Sequence, residues 1–216
     1  MPFTITDGTT VAKADNAYEA LRACYYPAEL TTKYIATMKT GALTGVAAGT
    51  ANIVFALRQI DSASVIQIRR LGLNWVTTTG YTAAQYQDFG VYVARSYSVS
   101  SSGGTAWSNA SNNTKLRTSL TTPTSLDLRI ATTAALTAGT FTADTYPVAQ
   151  IGAWCATTAG GTGVVPMTWL IDQGPGDYPL VLAQNEGLVI CPITAMGAAG
   201  VGNLTVVVEF CQAAAY

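Results

Sequence analysis

Alternation of apolar and polar residues organises most of this chain. In FGVYVARSYSV, Phe89, Val91, Val93, Arg95 and Tyr97 fall on one side of an extended strand, with Gly90, Tyr92, Ala94 and Ser96 on the other, because successive strand side chains point to opposite faces. NLTVVVEF repeats the pattern, setting Leu204, Val206, Val208 and Phe210 against Thr205, Val207 and Glu209. In VIQIRRLGLNWVTTT the phase changes: Ile66 and Ile68 share one parity, Leu71, Leu73 and Trp75 the other. A strand that keeps one face buried must insert a residue between them, which predicts a β-bulge near Arg69 to Gly72. Further strands are expected around 52–58, 126–131, 148–155, 164–171, 178–183 and 187–193. Eight or so strands with irregular connections predict an all-β fold, a jelly-roll-like two-sheet β-sandwich over residues 34–216.

Residues 1–33 read differently. Asn16 and Glu19 have capping-box spacing ahead of AYEALRACY, and Pro27 follows, so an N-terminal arm containing a short helix is expected. Within the sandwich, TGYTAAQYQ (79–87) and SVSSSGGTAWSNASNNTK (98–115) are long connections. Tyr18 and Tyr25 in the arm, Tyr81 and Tyr86 in the first connection and Trp107 in the second are candidate contact residues. Trp107 has two readings, a contact anchor or a lid folded back on the sandwich. In DYPLVLAQNEGLVICPIT two strands flank QNEG, which reads as a hairpin turn or corner, with Gly187 supplying positive φ and Glu186 free to pair with an arginine.

Charge sharpens this picture. Only 11% of residues are charged, against about 25% in an average soluble protein, so much of the surface is uncharged and suited to being covered. All eleven Lys and Arg lie at or before Arg129 beside seven acids, whereas residues 130–216 hold five acids and no cation. The two halves attract, within one subunit or between copies. Arg58, Arg69, Arg70 and Arg95 lie in or beside strands, where pairing with acids such as Glu186 and Glu209 is expected. No clustered basic surface suggests nucleic acid, and no run approaches the roughly 20 apolar residues of a membrane span. The N-terminus MPFTITDGTT lacks the basic start and apolar core of a signal peptide, so secretion by its own signal is not expected.

Candidate chemistry is sparse. The absence of histidine removes the commonest general base and metal ligand, so no metal site or cofactor is expected. Cys24, Cys155, Cys191 and Cys211 contain no CxxC pair and read as free thiols. Carboxylate-only catalysis would fall to Asp172, Asp177 and Glu186. Gln-Gly-Pro-Gly-Asp is turn chemistry, however, and no catalytic residue is assigned.

The ordered series ALTGVAAGTANIVFALRQID, IRRLGLNWVTTTGYTAAQYQDFGVYVARSYSVSSSGGTA, LRIATTAALTAGT, PLVLAQNEGLVI and NLTVVVEF resembles a family of small virion structural proteins of tailed bacteriophages and prophages. The resemblance covers roughly residues 40 to 211 and departs from the family pattern at Tyr178, where histidine is common, and at Phe210, where tryptophan is common. It implies a non-enzymatic head decoration or cement protein on the head exterior of a virion. Its partners would be copies of itself, as a homotrimer, and the major capsid protein. The alternative is a tail or fibre knob acting as a receptor- or glycan-binding module.

Overall fold

The structure, a computed structural model, describes residues 33–107, 115–116, 123, 126–157, 164–173 and 179–214. It also describes four two-residue strands, β1 (Ile5–Thr6), β2 (Val11–Ala12), β3 (Ala14–Asp15) and β4 (Ala20–Leu21), which pair β1 with β2 and β3 with β4. Most of the expected arm helix lies outside the described residues; Ala20 and Leu21, inside it, form a strand instead.

The sandwich is built from β5 (Lys33–Lys39), β6 (Phe55–Gln59), β7 (Ser64–Thr79), β8 (Gln85–Val99), β9 (Thr105–Ala106), β10 (Leu126–Ile130), β11 (Thr140–Ala143), β12 (Ala149–Cys155), β13 (Val164–Asp172), β14 (Leu180–Leu182), β15 (Gly187–Pro192) and β16 (Val201–Ala214). One antiparallel sheet has seven strands in the order β11-β8-β15-β6-β10-β9, with β12 also on β8. The other has five, β13-β7-β16-β5, with β14 also on β7. Each sheet is thus organised by one long strand flanked end to end by two short ones. The chain passes between the sheets at β5 to β6, β6 to β7, β7 to β8, β12 to β13, β13–β14 to β15 and β15 to β16, the repeated exchange expected of a jelly-roll-like sandwich.

The core lies where the inner phases meet. Phe89, Val91 and Val93 of β8 join Leu188, Ile190, Phe55, Leu57, Leu128 and Ile130 from one sheet; Leu71, Leu73, Trp75, Leu204, Val206, Val208 and Phe210 come from the other, all almost fully buried. Trp75 meets Phe89 across the layers with centroids 4.9 Å apart, and such aromatic pairs add about 0.5–1.5 kcal/mol beyond the area they bury.

The bulge sits at Arg69. On β16, Phe210 pairs with Ile68 while Glu209 pairs with Arg70, so Arg69 has no opposite residue. The extra residue keeps Ile66 and Ile68 inside on one side of it and Leu71, Leu73 and Trp75 inside on the other.

Several local expectations are corrected. The first connection is shorter than 79–87, since β8 begins at Gln85. Tyr81 within it is 2% exposed and its N–H donates to the Ala156 carbonyl at 3.1 Å, so it fills the core and presents no contact surface. In β8 the alternation stops at Ser96, which adopts φ 50°; Arg95 therefore leaves the core face and stands half exposed at the rim. Trp107 takes the lid arrangement: its N–H donates to the Leu128 carbonyl at 2.9 Å, and its ring meets Phe210 edge-on at 6.5 Å. Lys115 then bridges to Tyr34 of β5, tying the far end of that connection to the opposite sheet. Residues 108–114 lie outside the described residues.

Candidate interaction surface

Of the carboxylates considered for catalysis, Asp172 and Glu186 are committed to different arginines. Asp172 at the end of β13 forms an ion pair with Arg70, its carboxylate 2.8 Å from Nε and accepting from Nη2 at 3.4 Å, whereas Glu186 accepts from Arg95 Nη1 at 2.9 Å on the other sheet. Asp177 lies outside the described residues. Among the described residues, no group of three Cys, Asp or Glu side chains is placed to hold a metal ion. Every described acid after residue 130 pairs with a cation from the first part of the chain: Asp144 and Glu186 with Arg95, Asp172 with Arg70, and Glu209 with both Lys33 and Arg70. The opposed charges of the two halves are satisfied inside one subunit.

QNEG is a corner, because β14 belongs to the five-stranded sheet and β15 to the seven-stranded one. Asn185 carries the positive φ, 61°, a conformation that asparagine tolerates. Gly187 serves another purpose: a Cβ there would lie 2.1 Å from the Leu57 carbonyl oxygen. Glu186 Oε2 accepts from the Ala183 N–H at 3.0 Å and closes the turn. Arg58 Nη2 donates to Asn185 Oδ1 and to the Ser98 carbonyl, both at 2.8 Å. An open groove of about 570 Å³ runs past this corner, lined by Arg95, Ser96, Ser98, Gln184, Asn185 and Glu186. Hydrogen bonds from Arg95 to Asp144 and then Glu186 raise the pKa of its guanidinium further, so it remains charged and committed to both carboxylates. With these charged groups engaged in one another, the corner is a locked joint between the two sheets.

Outward-facing aromatics behave differently in the two sheets. In the five-stranded sheet Trp169 lies over Gly72, where a Cβ would come within 2.9 Å of its ring, and the Arg70 guanidinium stacks 3.9 Å above the same ring. In the seven-stranded sheet, Trp154 and Tyr86 are directly opposite residues of the β12–β8 pair. Tyr86 lies over Gly152, and both aromatics remain more than half exposed, at 57% and 52%. Val148, Gln150, Gly152 and Trp154 share the outward phase of β12 and its lead-in, with Ile151, Ala153 and Cys155 on the buried phase. Tyr146, at the bend just before, is 80% exposed.

An antiparallel sheet that faces water on one side normally turns polar residues outward. The β12 face carries valine, glutamine, glycine and tryptophan, and so forms an apolar, uncharged stripe. Of the contact candidates, Tyr86 belongs to this stripe, Tyr81 and Trp107 are packed on the core, and Tyr18 and Tyr25 lie outside the described residues. Trp154 was missed by sequence reasoning, although a tryptophan on the same parity as Gln150 and Gly152 was a usable signal. Against known proteins, no family model matches the chain, and no curated protein matches it significantly.

Proposed function

We propose that the chain is a non-enzymatic structural protein of a tailed-phage virion, a head decoration or cement protein that stabilises the shell through intersubunit contacts. The observation that carries this reading is the outward stripe of β12 with Tyr86, an apolar surface that gains by being covered. Two features agree with it. Asp172 and Glu186, the described carboxylates considered for catalysis, are each committed to an arginine, and the segments resembling phage virion proteins make up the frame of the sandwich. A cement protein needs no chemical step; it adds interface to the assembled state and stabilises it by mass action. The proposed partners are the major capsid protein and further copies of this chain, on the head exterior.

The test is co-sedimentation with empty heads, followed by cryo-electron microscopy of the decorated particle. Density repeating at capsid joints, reduced by Trp154→Asp, is the expected result. A protein that leaves heads undecorated at saturating concentration sinks the reading. A second reading, a receptor- or glycan-binding knob of a tail or fibre, draws on the same side-by-side Tyr86 and Trp154, since exposed aromatic rings stack on sugar faces. Selective retention on a glycan array that disappears in Trp154→Ala would favour it.

A further inference from the structure

We infer that the stripe of Tyr86, Val148, Gln150 and Trp154 is the contact between two copies of this chain, packed stripe on stripe across a two-fold axis. The inference rests on the assembly reading above and names the partner at that surface.

Size comes first. Aromatic side chains each offer roughly 150–250 Å², so Trp154 and Tyr86 at just over half exposure and Tyr146 at four-fifths expose on the order of 400 Å² together. A standard interface buries about 800 Å² per partner, a little over half of it apolar. The stripe together with Tyr146 at the bend before it therefore supplies nearly all the apolar area that one side of such a contact requires.

Charge selects the occupant. Partners of different kinds are usually steered and registered by complementary charges, and the outward phase of β12 has none. The charged group on that face is Asp88 of β8, opposite Gly152 of the stripe, which accepts the Thr194 N–H at 2.8 Å. Across a two-fold axis only the groups at the axis meet their own duplicates, so an uncharged residue suits that position, while the groups to either side meet the opposite end of the same stripe. A ring of three, expected from the sequence resemblance, would instead join the stripe to a different surface.

The backbone agrees. Among the described residues β12 is an edge strand paired only to β8, and its sequence AQIGAWC contains neither a charge nor a proline. Those are the usual devices that keep an edge from associating. Gln150, midway along the stripe, falls near the proposed axis.

The test uses the full chain at about 50 µM, a concentration at which a contact of this size is populated, by size exclusion with light scattering. The expected mass is twice 22.5 kDa, falling to one chain in Tyr86→Ala/Trp154→Ala with the near-ultraviolet spectrum of the Trp75–Phe89 core unchanged. In a Cys24→Ser background, Gln150→Cys is expected to form a disulfide-linked dimer without reductant, since the described native thiols are buried. A single-chain mass for the unaltered protein, an oligomer that survives the double substitution, or no cross-link at Gln150→Cys overturns the inference. A monomer that still decorates heads overturns the self-contact and leaves the assembly reading standing. A stripe-dependent dimer that binds no head does the reverse. Glycan binding by a monomer, lost in Trp154→Ala, assigns the stripe to the knob reading and also overturns the self-contact.

Discussion

Trp169 and Trp154 stand on outward faces of antiparallel strands, one in each sheet, and the chain treats them in opposite ways. Trp169 is laid flat over Gly72 and capped by Arg70. Around it runs a ladder of charge across four strands, Lys33 of β5 to Glu209 of β16, to Arg70 of β7, to Asp172 of β13, with contacts of 2.9, 3.6 and 2.8 Å. Trp154 has a glycine and a tyrosine beside it and, among the described residues, no cation above it. The first face closes itself with its own side chains. The second leaves the same kind of apolar ring open, which is why it is the surface read here as meeting a partner.

Substitution and titration separate the two faces. The largest effect is expected from ionising what the molecule covers. Beside the stripe, Cys191 pairs with Gly90, over which Tyr92 lies, and burial pushes its thiol up to about 12 from 9.0. A raised pKa means that the fold holds the neutral thiol, so this contribution is complete below pH 9 and is lost as pH rises through about 12. Burial raises the Tyr81, Tyr92 and Tyr97 phenols in the same direction. Urea midpoints are therefore expected to hold near pH 8 and fall steeply above pH 9, with Cys191→Ala flattening the early part of the decline.

Next comes Trp169→Ala, which removes packing over Gly72 and the stacked guanidinium together; a loss of about 2–3 kcal/mol is expected by denaturant titration. Glu209→Gln should cost about 1–2 kcal/mol, below the range for a fully buried pair, because the Lys33 and Arg70 side chains are 41% and 33% exposed. Arg95→Ala at the corner is smaller, about 0.5–1 kcal/mol, since that side chain is half exposed and screened. Smallest is Trp154→Ala, within about 0.5 kcal/mol for the isolated chain. Equal losses at Trp169 and Trp154 would erase the distinction between the two faces.

Much of the fold was legible from local pattern. The bulge could be read because Ile66 and Ile68 disagree in parity with Leu71, Leu73 and Trp75, and only an inserted residue reconciles them. The strands at 126–130, 149–155, 164–172 and 187–192 fall close to their expected places. Other features depended on distant partners. The role of Gly187 follows from the Leu57 carbonyl beside it, 130 positions away in the chain. The exposure of Arg95 follows from the turn of β8 at Ser96 and from acids at 144 and 186. Tyr81 looked like a loop residue because its neighbours are polar, whereas Gly200 leaves room for its ring.

Local pattern alone dictates that the described chain is β-structure, where most strands run, and that charge of opposite sign has to meet. Period-two alternation and turn residues are local properties, and they act before any strand finds its neighbour. Which acids meet which arginines, that QNEG joins two sheets, and which side of β12 looks outward depend on the packing of distant segments. In AQIGAWC both phases hold apolar residues, so nothing local separates the buried Ile151, Ala153 and Cys155 from the exposed Trp154. That choice is made by the position of the second sheet, which covers one phase and leaves the other uncovered.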